Sequence, residues 1–342
     1  MVDFEIKTKQ LIDSLKGICA SYGLGNDGNE FKIITQVFLY KFLNDKFAFE
    51  LKKINKDVAN AGVKWEEAYI SLSDNDKDML RFELGGKTAF LNSEHLISTL
   101  FNRQNESDFA KLFDDTLRDI AKQNNDIFAV KTDGGTKITL FEQNGLSNFI
   151  SDESKRDAFC RAIINKLADF SFEQIFKEKF DFFATIFEYL IKDYNKDSGG
   201  KYAEYYTPHA VAKIMASIMV KGDVKNVSCY DPSAGSGTLL MNIAHAIGED
   251  NCTIYSQDIS QKSSNLLRLN LILNNLVHSI SNIIQGNTML HPYFKEGNNL
   301  KKFDYIVSNP PFKMDFSDFR DDLDTKENKD RFFAGIPKIP AK

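Results

Sequence analysis

Proline is absent from the first 207 residues and then occurs seven times, at Pro208, Pro232, Pro292, Pro310, Pro311, Pro337 and Pro340. It removes a backbone donor and clashes with the preceding helical turn, so a proline-free stretch of this length suits a mainly helical first half. The apolar spacing points the same way. Ile33, Ile34, Val37, Phe38, Lys41 and Phe42 recur at helical steps, as do Leu96, Ile97, Leu100 and Phe101, then Leu112, Phe113, Leu117, Ile120 and Ala121. Ile127 to Val130 and Lys137 to Phe141 flank Asp133-Gly134-Gly135, which predicts a β-hairpin inserted among the helices. Helical runs resume from Phe159 to Leu167 and from Phe180 to Tyr194. This pattern places a boundary near residue 165, with a helical partner-docking domain at 1–165 and a second domain at 166–342.

Beyond Val224 the rhythm changes to short apolar strands alternating with helices. Strands are expected at Val227–Tyr230, Thr253–Gln257, Asn282–Gln285 and Tyr305–Ser308, with helices at Thr238–Ile247 and Lys262–Leu273. Such alternation implies an α/β domain with a parallel sheet, whose ligands bind at the carboxyl ends of the strands.

Composition narrows the class. At 42% apolar and 27% charged residues the chain is an ordinary globular one, not a disordered one. No apolar run is long enough to span a membrane, and Asp3, Glu5 and Lys7 fall where a secretory signal would be apolar; a cytoplasmic location is expected. Cys19, Cys160, Cys229 and Cys252 are scattered without a CxxC pair, so neither a metal site nor a disulfide framework is expected. With a net charge of −5, any nucleic-acid contact must be local or shared with a partner.

Chemistry-bearing residues follow each expected strand. The first runs into Asp231-Pro232-Ser233-Ala234-Gly235-Ser236-Gly237-Thr238, where small residues admit close backbone approach to a ligand and a helix begins. Asp231 ahead of the glycines would repel a diphosphate and welcome an ammonium; a plain strand-to-helix turn also explains the glycines. Asp258 ends the second strand, where a carboxylate can accept both ribose hydroxyls of an adenosine cofactor or simply sit solvated. Asn287 after the third can bond an adenine edge or close a turn. The fourth ends in Asn309-Pro310-Pro311-Phe312, where an amide oxygen and a carbonyl beside an aromatic ring suit an exocyclic amino group on a planar base. Upstream lies Glu204-Tyr205-Tyr206-Thr207-Pro208-His209, in which Thr207 can cap the following helix with Pro208 at its first position.

These elements, in this order, resemble the amino-methyltransferases that modify adenine in DNA, and more closely the modification subunit of type I restriction–modification systems. Arg331-Phe332-Phe333-Ala334-Gly335-Ile336-Pro337 also resembles that subunit. The resemblance implies a Rossmann-like S-adenosylmethionine-dependent domain, adenine N6 in DNA as target, a specificity subunit, a restriction subunit, and possible contact with a second copy. It further implies that Glu204 to His209 wall the cofactor, that Asp231, Gly235, Ser236, Gly237 and Thr238 lie against it, and that Asp258 holds the ribose. Asn309 and Pro310 would take the N6 protons, with Pro311 shaping the turn and Phe312 stacking on the flipped base. Asn287 stands where such enzymes usually carry an aspartate that accepts from the cofactor's adenine. His209 is read as a cofactor wall or helix cap, not a proton handler.

The expected strand order is 3-2-1-4, with three more strands expected beyond the fourth. Only 30 residues follow Phe312, among them seven acidic and seven basic ones, so the chain reads as cut short and its tail from Lys313 as poorly ordered or paired with another copy. Two other functions fit parts of the pattern: a catalytically incomplete assembly module, and a protein-glutamine methyltransferase, since an Asn-Pro-Pro-aromatic turn also serves side-chain amides.

Overall fold

The computed structural model describes residues 2–25, 28–177, 180–192, 207–311, 315–326 and 328–336. The chain forms two compact units. One comprises Met1–Ala129, Thr139–Tyr202 and Ile272–His278; the other comprises Val130–Ile138, Ala203–Leu271 and Ser279–Lys342.

The first unit is helical. Its central helix, Gly28–Ile54, buries residues on nearly every side, including Ile33, Val37, Phe38, Tyr40, Phe42 and Phe47. Lys41 interrupts that apolar set and is buried too; its ammonium lies 3.0 Å from Asp45 Oδ1. The other oxygen of Asp45 accepts the Phe172 N–H at 2.7 Å, so the paired charge is also hydrogen-bonded, as a buried ion must be. Phe172 in turn packs edge-on to Phe38 and Phe42. Tyr189, in helix Phe180–Lys192, bonds Asp13 at 2.8 Å, and Ile186, Phe187 and Leu190 are buried. These contacts hold the residues after 165 to the helical unit, and the division falls at Tyr202/Ala203 instead of near 165.

Among its described residues the second unit has eight strands: β1 Val130–Thr132, β2 Lys137–Ile138, β3 Val227–Asp231, β4 Cys252–Asp258, β5 Ile283–Gln285, β6 Lys295–Glu296, β7 Asn299–Leu300 and β8 Tyr305–Ile306. Six form one sheet in the order β2-β1-β5-β4-β3-β8, and β6 and β7 form a separate hairpin that the sequence reading missed. The run β5-β4-β3-β8 is parallel and has the expected 3-2-1-4 order.

The hairpin near Asp133 departs from expectation. It belongs to the sheet unit, not to the helices, because β1 pairs in parallel with β5 through Lys131↔Ile284 and Thr132↔Gln285. The Asp133 N–H donates to the Gln285 carbonyl at 2.9 Å, and Val130 is buried. A buried guanidinium, Arg268 in helix Gln261–Leu273, donates to the Ile138 carbonyl at 3.0 Å and pins β2. The sheet is therefore mixed, with β2 antiparallel at one edge. At the other edge β8 is short and Ile306 is exposed.

The turn from β3 into helix Thr238–Ile247 passes through left-handed backbone at Gly235 (φ 54°) and Gly237 (φ 83°). A Cβ at Gly237 would also overlap the side chain of Leu267. Gly237→Ala is expected to destabilise the protein by about 2–4 kcal/mol, combining left-handed strain with overpacking. Adding Leu267→Ala should remove the overlap, leaving the strain and a small cavity cost. Urea denaturation of the single and double variants checks this; a double variant no more stable than the sum of its parts would refute the overlap.

Candidate cofactor and base site

The β3–β4 register pairs Asp231 with Ser256, and the β4–β5 register pairs Asp258 with Gln285, so the loops that follow open on one edge of the sheet. Asp231 is almost wholly buried; its Oδ1 accepts the Ser233 N–H at 2.9 Å. Burial pushes its carboxyl up to about 7, with the neighbouring Asp258 charge adding to the shift and hydrogen bonds from Ser233 and Ser308 opposing it. Asp258 is held at both oxygens: Oδ2 accepts the Gly235 N–H at 2.9 Å and Oδ1 accepts the Ser260 N–H at 2.8 Å. Burial raises its pKa as well, against those two bonds. Each oxygen keeps a further lone pair, so both remain able to accept a hydroxyl.

The glycine loop is braced from behind. The Asn270 amide donates to the Ser236 carbonyl at 3.2 Å, and the buried Ser236 and Thr238 hydroxyls lie 3.2 Å apart. Thr288 after β5 donates to the Pro232 carbonyl at 2.7 Å. β3 also pairs with β8, through Cys229↔Tyr305 and Tyr230↔Ile306, which sets the end of β8 beside the start of the glycine loop. There the Ser233 and Ser308 hydroxyls meet at 2.7 Å, and Asn309 follows. Thr207, Asp231, Ser233, Gly235, Ser236, Thr238 and Asn309 line one pocket.

Several expected roles change. Helix His209–Met219 is capped by the Pro208 carbonyl, which accepts from Val211 and Ala212 at 3.0 and 3.1 Å, with no side-chain cap. Thr207 is thus not the cap, and its hydroxyl instead accepts from Asn309 Nδ2 at 3.1 Å. His209 Nδ1 lies 3.2 Å from the Asn242 amide, a packing contact at the start of the helix. Asn287 Oδ1, expected to accept from an adenine, takes the Met289 and Leu290 N–H groups at 3.0 and 3.3 Å; the turn reading describes it. Pro310 and Pro311 are exposed. Glu204, Tyr205, Tyr206 and Phe312 lie outside the described residues. The tail was expected to be loose from Lys313, but Arg331 bonds the Thr288 and Met289 carbonyls at 3.1 and 2.9 Å. Sequence reasoning missed Ser233, Ser308 and Thr288, because a hydroxyl in a loop carries no spacing signal.

One group in the helical unit gathers metal-ligand types: Glu94, His95 and Asp119. His95 Nδ1 accepts the Asn92 N–H at 3.2 Å, so its proton lies on Nε2, 3.0 Å from Asp119. That edge donates and offers no lone pair to a cation. The four cysteines are buried and form no disulfide among the described residues. No helix among the described residues is long and apolar enough to cross a membrane.

A parallel sheet with a glycine turn after one strand, an acid after the next and Asn-Pro-Pro after an outer strand defines a methyltransferase-type α/β fold. Residues 178–342, just under half of the chain, match the N-6 DNA methylase family. The chain is 25% identical over 333 residues to the type I restriction enzyme MpnII methylase subunit of Mycoplasma pneumoniae, covering 92% of this chain and 58% of that protein. It is 23% identical over 315 residues to the MjaVIII methylase subunit of Methanocaldococcus jannaschii, covering 90% of this chain and 49% of that one. The chain thus spans about half the length of these relatives. Its fold matches the type I restriction–modification methyltransferase subunit from Streptococcus thermophilus at a TM-score of 0.70 and 20% identity, over 93% of this chain and 66% of that one.

The buried acid gives the site a pH signature. Asp231 keeps its proton up to about 7 when folded, against 3.8 as the ordinary value, so the folded chain binds more protons across that window. Stability is therefore highest below the unfolded value and falls as pH rises towards 7. Asp231→Asn is expected to flatten this slope. Urea denaturation between those limits measures it, and an unchanged slope in the variant would assign the linkage to other groups.

Proposed function

We propose that this chain forms the methyl-transferring part of a DNA adenine-N6 methyltransferase of the type I modification-subunit kind, using S-adenosylmethionine. The observation that carries the reading is the β3–β8 pairing, which sets Asn309-Pro310 beside Asp231 and the glycine loop. The residues present fit that cofactor: a buried acid with no cation bonded to it among the described residues suits an ammonium, Asp258 offers ribose acceptors, and the glycines leave room for a close approach. Ile259, exposed beside Asp258, is an apolar surface of the kind an adenine face would cover.

When bound, S-adenosylmethionine supplies an electrophilic methyl group on its sulfonium. The rest falls to this chain. Asp231, whose carboxyl burial raises to about 7, would ionise on meeting the ammonium end and hold it, while Asp258 would fix the ribose. Asn309 Oδ1 and the Pro310 carbonyl accept the two N6 protons of the target adenine. Both are neutral acceptors, so they favour a pyramidal nitrogen and localise its lone pair towards the methyl without a strong base. The adenine must leave the duplex to reach them.

A net charge of −5 argues that phosphate contacts come largely from partners, and a specificity subunit that reads the DNA, with a restriction subunit beside it, supplies them. The reading places the complex in the cytoplasm, where its DNA substrate lies.

In a complex assembled with a specificity subunit, Asn309→Ala is expected to abolish methyl transfer, a loss of about 3–4 kcal/mol of transition-state stabilisation. Cofactor affinity should stay within a few-fold. Asp258→Ala should instead weaken S-adenosylmethionine binding by about 1.5–3 kcal/mol in calorimetry. An Asn309→Ala complex that keeps more than about a tenth of wild-type turnover would refute the assignment.

A further inference from the structure

We propose that Thr207 is a positioning residue for the acceptor amide: its hydroxyl tethers the Asn309 side chain in the pocket that both residues line. The inference rests on the function proposed above. It starts from a hydroxyl that the local fold leaves without its usual task. Threonine in the N-cap position normally caps a helix with its hydroxyl, but here Pro208 holds that position and Thr207 lies one residue ahead of it. The Thr207 hydroxyl lies instead 3.1 Å from Asn309 Nδ2, across 102 residues of sequence.

An asparagine amide is nearly symmetric in shape but not in chemistry. Turned one way, Asn309 offers an acceptor to an amino group; turned the other way, it offers N–H groups that would repel one. Asn309 is exposed, and its amide is bonded by Thr207. Thr207 holds the amide in place by accepting from Nδ2, and with that nitrogen engaged Oδ1 is the end left for the substrate. The backbone under Asn309 is held separately, by the Ser308–Ser233 hydroxyl contact at 2.7 Å. Two hydroxyls thus fix a residue that the short strand β8 alone would hold loosely: one anchors its backbone, the other its side chain. Because Thr207 also lines the pocket with Asp231 and Gly235, the same contact links the acceptor to the cofactor pocket.

The test compares Thr207→Val, which keeps the shape and removes the hydroxyl, with Thr207→Ser, which keeps it. In a complex assembled with a specificity subunit, Thr207→Val should lower kcat by roughly tenfold, the effect of one lost orienting hydrogen bond. KM for S-adenosylmethionine should stay within about twofold, and Thr207→Ser should restore kcat. A second readout needs no turnover. In the chain labelled with 15N-asparagine, with Asn309→Asp identifying the resonance, Thr207→Val should shift the Asn309 side-chain amide signal and speed its proton exchange, and Thr207→Ser should not. Wild-type kcat in Thr207→Val, or a parallel loss of cofactor affinity in it, would overturn the inference. If the wild-type complex transfers no methyl group, the functional reading fails, while an amide signal indifferent to Thr207→Val would independently remove the contact.

Discussion

The Asp258 carboxylate spans two loops and ties them to one point. Its Oδ2 takes the Gly235 N–H and its Oδ1 the Ser260 N–H, so the turn after β3 and the turn after β4 share a single anion. Two charge-assisted bonds of this kind offset much of the cost of burying the charge. The glycine turn then has a fixed height above the sheet. From that height Ser233 reaches Ser308, and Asp231 is enclosed deeply enough for its carboxyl to rise to about 7. The Asn309 end of the site inherits its position from the Asp258 end.

That chain of dependence explains why the site is so acidic at its centre. Two buried carboxylates sit close together, and the Asp258 charge adds to the rise at Asp231, yet no basic side chain is bonded to either of them among the described residues. Backbone N–H groups and serine hydroxyls stabilise them instead. A permanent cation there would compete with an ammonium ligand; neutral donors leave that charge to be supplied from outside.

Much of this was legible in the sequence. Helix Thr238–Ile247 falls where its spacing places it, and Asp231, Asp258 and Asn309 each follow an expected strand at the carboxyl edge of the sheet. Periodicity and proline placement are local signals, and these features are local. What could not be read depends on partners distant in the chain. Asn287 was seen as an acceptor, but whether its oxygen is spent on Met289 and Leu290 depends on how the backbone turns. Thr207 looked like a cap until the Pro208 carbonyl proved sufficient. The hairpin at Asp133 was recognised from its glycines, yet nothing nearby in sequence names β5 as its neighbour.

That hairpin has a consequence for how the chain is made. β1 lies about 150 residues ahead of the strand it pairs with, so during synthesis it emerges long before Ile284 exists. At ribosomal rates the wait is on the order of ten seconds. Through that interval β1 and β2 have no sheet to join, and the helical unit on either side of them in sequence can condense first. The sheet closes only when β5 arrives to receive them, which makes its assembly a late event in the life of the nascent chain.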